Sequence, residues 1–122
     1  MATVQYVNNV SYLTRAEIRL NEIEKENFKA IALPKGAEIL HLSVEITQAD
    51  TQGNTLDVGL NDEKSFFIAS LGLDTQKSEL SAVVTRAKQN SFVTVSRSLD
   101  NADGIVVLRV HYFLPSLIKT EY

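Results

Sequence analysis

The chain has no cysteine and no tryptophan, and only two prolines, five glycines and two histidines among its 122 residues. Without cysteine there are no disulfides and no thiolate-ligated zinc, so packing alone must hold the fold. That suits a protein made in a reducing cytoplasm. With His41 and His111 as the only imidazoles, nucleophilic and metal chemistry have little to work with. No serine sits in a Gly-x-Ser-x-Gly elbow, and there is no His-x-His or His-Glu-x-x-His spacing. Gly36, Gly53, Gly59, Gly72 and Gly104 are too dispersed to form a phosphate loop. The 12 basic residues are scattered among 15 acids, for a net charge of -3, and form no run. Neither nucleic acid nor an anionic membrane is therefore expected as a partner. Met1–Gln5 is neither basic nor apolar, so no signal peptide is expected. The longest apolar-rich stretch, 105–114, contains Arg109 and His111 and is too short to span a bilayer.

What remains is ordinary globular material, 44% hydrophobic and 22% charged. A chain of this length suits one domain and buries roughly two-thirds of its unfolded surface. Alternation with a period of two residues dominates. Over 39–47, Leu40, Leu42, Val44 and Ile46 alternate with His41, Ser43, Glu45 and Thr47, which predicts a strand with one buried and one wet face. Over 104–114, Val106, Leu108, Val110 and Tyr112 oppose Ile105, Val107, Arg109, His111 and Phe113. Both of those faces are largely apolar, so this strand is placed centrally or under a partner subunit, and Pro115 ends it. Further strands are expected over 12–20, 28–33, 55–60, 65–69 and 92–96. Between them lie turn signals at 34–36, 52–54, 61–62, 90–91 and 100–104. Residues 21–27 read as one helical turn or a loop. Residues 78–88 read as a short helix or a strand, and the strand is preferred.

This pattern predicts an all-β fold: a β-sandwich or jelly roll of about eight strands, with at most one short helix. One domain covers 11–122, and 1–10 is expected to be an N-terminal arm mixing Val4, Tyr6, Val7 and Val10 with polar Asn8 and Asn9. The acids Asp57, Asp62, Asp100 and Asp103 lie at strand ends and turns, and read as solvated loop carboxylates rather than a glycosidase pair. Asp100–Asp103 lacks the calcium-loop pattern. His41 and Glu45 share a strand side and, with His111, could ligate a metal only if folding joined them. No catalytic, cofactor or metal residues are assigned, and no enzyme is expected. Phe66-Phe67 places adjacent rings on opposite strand faces, so one of them is a candidate subunit contact. Together with Val4, Tyr6, Val7, Val10, Arg109 and Tyr112, these are the candidate interface residues.

The segment Leu33-Pro34-Lys35-Gly36-Ala37 runs into the 39–47 strand and is followed by Thr55-Leu56-Asp57-Val58-Gly59. With the apolar final strand 105–112 and Phe113-Leu114-Pro115, this order resembles small structural proteins of bacteriophages, specifically capsid cement or decoration proteins. The resemblance covers roughly 28–115; the charged 22–27 stretch and 78–89 match nothing in it. It implies a β-sandwich trimer on the capsid exterior over local threefold positions, bridging copies of the major capsid protein, with no catalytic residues to carry over. The competing reading is a β-sandwich module binding carbohydrate or a receptor, on a phage tail or a cell surface. The lack of tryptophan, and the position of Tyr6, Tyr12, Tyr112 and Tyr122 mostly near the chain ends, count against a sugar platform.

Overall fold

The computed structural model describes residues 4–6, 10–114 and 119–121. Among these residues eleven strands follow one another: β1 (Val4–Tyr6), β2 (Val10–Arg19), β3 (Phe28–Leu33), β4 (Glu38–Gln48), β5 (Thr55–Leu60), β6 (Glu63–Gly72), β7 (Ser78–Ser81), β8 (Thr85–Arg86), β9 (Ser91–Arg97), β10 (Ile105–Leu114) and β11 (Lys119–Glu121). The ambiguous 78–88 segment is strand, in the two short pieces β7 and β8, and 20–22 forms a single 3-10 turn.

One sheet has the order β2-β10-β4-β7, with β8 also on β4, and the other has the order β3-β9-β5-β6; all pairings are antiparallel. Strands adjacent in the chain mostly lie in opposite sheets, and strands adjacent in a sheet are mostly distant in the chain. This is the double Greek key of a jelly roll, as expected from the strand spacing. β10 lies between β2 and β4, the central position its two apolar faces predict. β1 and β11 form a separate two-stranded ribbon.

The core fills the space between the sheets. Ile18, Leu42, Val44, Ile46, Val106, Leu108 and Val110 come from one sheet, and Ile31, Leu33, Leu56, Val58, Phe67, Val93 and Val95 from the other. Each such side chain contributes about 1.5–3 kcal/mol when fully buried.

Two of the register irregularities overturn the expected placement of side chains. On β4, Leu40 is exposed and Ile39 buried, against the expectation that Leu40 faces the core. His111 of β10 pairs with His41 while Tyr112 pairs with Ile39, so Leu40 is the extra residue that reverses the phase. On β6, Val58 pairs with Ile68 but Leu60 pairs with Glu63, so the intervening residues leave regular register. Phe66 and Phe67 therefore do not occupy opposite faces; their rings meet edge to face at 5.0 Å. Gly59 sits where the irregular strand crosses β5, and a Cβ there would lie 2.2 Å from the Glu63 carbonyl oxygen. The 34–37 turn closes with the Ala37 amide donating to the Pro34 carbonyl at 3.2 Å. Gly36 takes the positive φ of 91° that the third position of a type II turn requires.

Candidate functional site

The two histidines meet. Leu13, His111 and His41 share one row across β2, β10 and β4. The imidazole rings of His41 and His111 stack with centroids 6.1 Å apart, and Phe113 lies 4.9 Å from His111. Two residues along the same outer face, Arg109 Nη1 donates to Glu45 Oε1 at 2.9 Å. Val107 lies on this outer face in register between Glu17 and Glu45, yet is only 1% exposed. The face is thus a mixed apolar and aromatic surface with one ion pair. Among the described residues no group of three His, Cys, Asp or Glu side chains is placed to hold a metal ion.

Three of the four acids considered for chemistry are engaged in hydrogen bonds or ion pairs that hold strands and loops together. Asp57 accepts the Ser70 amide at 2.6 Å, where Ser70 holds a positive φ of 53°, and lies 3.8 Å from the Lys64 ammonium. Asp100 pairs with Lys25 at 3.3 Å. Asp103 accepts the Thr51 amide at 2.7 Å and also the Thr51 hydroxyl.

Two hubs were not visible in the sequence. Asp50 is 4% exposed and knots the 50–54 loop to the start of β10. One oxygen accepts the Asp103 and Gly104 amides at 2.9 and 3.2 Å. The other accepts the Gln52 amide, the Asn54 amide and Asn54 Nδ2 at 3.0–3.1 Å. Burial pushes this carboxyl's pKa up, but the bonds from Asp103, Asn54 and Gln52 together outweigh it and bring the value from 3.8 down to about 2. Arg97, 8% exposed, donates to four carbonyls: Leu20, Ile23, Leu99 and Asp100, at 2.8–3.1 Å. It ties the 20–23 turn to the end of β9. No periodicity marks either residue, because every partner is a loop group.

The candidate interface residues are distributed unevenly. Tyr112 and Phe67 are 8% and 6% exposed, and both belong to the core cluster. Phe66 is half-buried and lines a cleft of about 440 Å³ together with Leu60, Thr85 and Lys88. Arg109 is half-buried and engaged with Glu45. Val10 is exposed and already belongs to β2, opposite Leu114, rather than to a separate arm. Val4 and Tyr6 lie on β1, paired with Glu121 and Lys119. Val7 lies outside the described residues. The periodic pattern did not single out Leu13, Leu80 and Val84, which are the most exposed large apolar side chains among the described residues, at 67%, 61% and 62%.

Solved structures similar to this jelly roll come from bacteriophage capsids. A chain in the acidic stable capsid structure of Helicobacter pylori bacteriophage KHP30 matches with a TM-score of 0.76 and 34% identity, covering 98% of this chain and 100% of that one. The chain belongs to the family of that KHP30 chain, a family of phage capsid structural proteins, which gives it a structural role in the virion. Chains of the cyanophage Pam1 capsid asymmetric unit (TM-score 0.70, 20% identity, covering 94% of this chain and 92% of that one) and of the Ralstonia phage GP4 capsid (0.64, 17%, 95% and 92%) share the fold. No protein-family model and no curated protein matches the chain.

Proposed function

We propose that this protein is a non-enzymatic cement, or decoration, protein that binds the outside of the capsid shell as a trimer and clamps adjacent copies of the major capsid protein. The observation that carries the reading is the end-to-end match to a phage capsid chain, over 98% of one and 100% of the other. That chain is accounted for by a jelly roll of this size, which suits an accessory that sits on a shell better than the wall of the shell itself.

The physics of the molecule agrees. A clamp needs a stiff body, and here two sheets enclose a continuous aliphatic core without any disulfide. It also needs surface with which to grip, and the β1–β11 ribbon, paired outside both sheets, is suited to reach a neighbour. Summed weak contacts at many repeated positions on a shell give firm retention through avidity.

The test is to add the purified protein to shells lacking it and heat both preparations. The reading predicts saturable binding and a higher rupture temperature for decorated shells. Binding without reinforcement, or no binding at all, contradicts it.

A further inference from the structure

A cleft of about 280 Å³ opens over β9, and Thr94 is part of its lining. Val93 and Val95 point into the core, so Phe92 and Thr94 project from the other side of their sheet. Thr94 is nevertheless only 2% exposed. Its cross-strand neighbours are Lys29 on β3 and Gly59 on β5, and the start of β6 passes over Gly59. Among the described residues, Thr94 Oγ1 is the one buried side-chain oxygen or nitrogen without a hydrogen-bond partner. A hydroxyl left in that state costs stability, and native folds keep few of them.

The rest of the lining suits a partner for that hydroxyl. Phe92 is 36% exposed, and the Lys29 ammonium lies 4.7 Å from its ring centroid. The exposed Lys29 side chain therefore runs from beside Thr94 to Phe92, as a flexible cover that a ligand can push aside. Asn61 fixes the Phe92 backbone: its amide donates to the Phe92 carbonyl at 2.9 Å, and its Oδ1 accepts the Phe92 amide at 3.0 Å. Asn27 and Gln89 add carboxamides, and Asp62 adds a carboxylate that offsets Lys29. A lining with one positive and one negative side chain does not select an ion. An apolar ligand would leave the Thr94 hydroxyl unpaired. A peptide adding as a strand finds no free backbone on β9, which is paired with β3 and β5. What fits is a neutral ligand with an apolar face for the ring and hydroxyls for the polar groups.

We infer that this cleft is a subsite for a neutral saccharide, which displaces the Lys29 side chain, packs on Phe92 and hydrogen-bonds the Thr94 hydroxyl. One ring inside a cleft serves this purpose without the broad aromatic platform that the sequence lacks. The inference does not rest on the cement reading, and its failure leaves that reading standing.

The test is an NMR titration of the isotope-labelled full chain with maltotriose, cellotriose and N-acetylchitotriose at millimolar concentration, beside inorganic phosphate. The inference predicts that at least one trisaccharide saturably shifts the amides of 92–94 and 27–29, and that phosphate does not. Thr94→Val keeps the side chain's shape and removes the hydroxyl. It should weaken saccharide binding roughly tenfold while leaving the melting temperature unchanged or higher, because the hydroxyl has no partner in the fold to lose. Lys29→Ala should bind the saccharide at least as tightly, since the cover no longer has to move. Response to none of the three sugars overturns the inference, as does saccharide binding that Thr94→Val leaves unchanged. A shift with phosphate that Lys29→Ala abolishes marks an anion site and overturns it too. So does a Thr94→Val variant that melts many degrees lower, because the hydroxyl then serves a buried water and the fold instead of a ligand.

Discussion

Replacing Asp50 with Asn tests whether one buried carboxylate holds the loops at the end of the sandwich. Five donors converge on its two oxygens. Asn keeps one acceptor, but presents an NH2 group either to the Asp103 and Gly104 amides or to the three donors on the other oxygen. The carboxyl titrates at about 2 in the fold instead of 3.8. At 1.36 kcal/mol per unit, the ionised form is favoured in the folded state by about 2.5 kcal/mol. A lowered folded pKa means the unfolded chain takes up the proton more readily, so this contribution is complete at neutral pH and is lost as the solution is acidified. By linkage the loss is about 0.3 kcal/mol at pH 4, about 1 at pH 3 and about 2 at pH 2. Urea denaturation at pH 7 should therefore show Asp50→Asn destabilised by about 2–4 kcal/mol, including the cost of misplaced donors. The gap from the unmodified protein should narrow by about 2 kcal/mol on going to pH 2. A gap independent of pH, or an Asn variant as stable as the original at pH 7, would refute the reasoning.

Three other perturbations probe separate parts of the account. Gly59→Ala drives a methyl into the Glu63 carbonyl and should cost about 3 kcal/mol, whereas Gly72→Ala, whose new Cβ has its nearest contact at 3.6 Å, should cost under about 1 kcal/mol; thermal melts compare the two. Arg97→Met strips four carbonyls of their donor and should destabilise by about 2–4 kcal/mol, with Arg97→Lys recovering only part of the loss in the same denaturation assay. Deleting residues 1–9, which removes β1 and leaves β2 whole, should lower affinity for shells while shifting the melting temperature by only a few degrees; equal losses in both would count against a gripping role for the arm.

The jelly roll was legible because most strands carry their burial pattern in the sequence. Val106, Leu108, Val110 and Tyr112 recur at every second position and are buried, and β3 and β5 begin and end where the sequence pattern places them. Legibility failed where the backbone leaves the two-residue repeat. Leu40 looks like a core residue in the sequence, but a bulge turns it out and Ile39 in. Phe66 and Phe67 look opposed, but irregular pairing on β6 brings their rings together. Polar hubs were invisible for a different reason. Asp50 bonds residues 53 and 54 positions away, and Arg97 reaches back 74 and 77 positions. No local pattern announces such partners. The exposed edge residues Leu13, Leu80 and Val84 were hidden in the same way, because a strand's place at the rim depends on sheet order, and sheet order comes from the whole topology.

The most direct test of the central claim is to titrate purified protein onto phage shells that lack it and count bound copies against the major capsid protein, with the solution mass measured by light scattering on the same sample. The account predicts a trimer that saturates the shell exterior at a fixed, regular ratio. A monomer that ignores shells, or binding that never saturates, would contradict it.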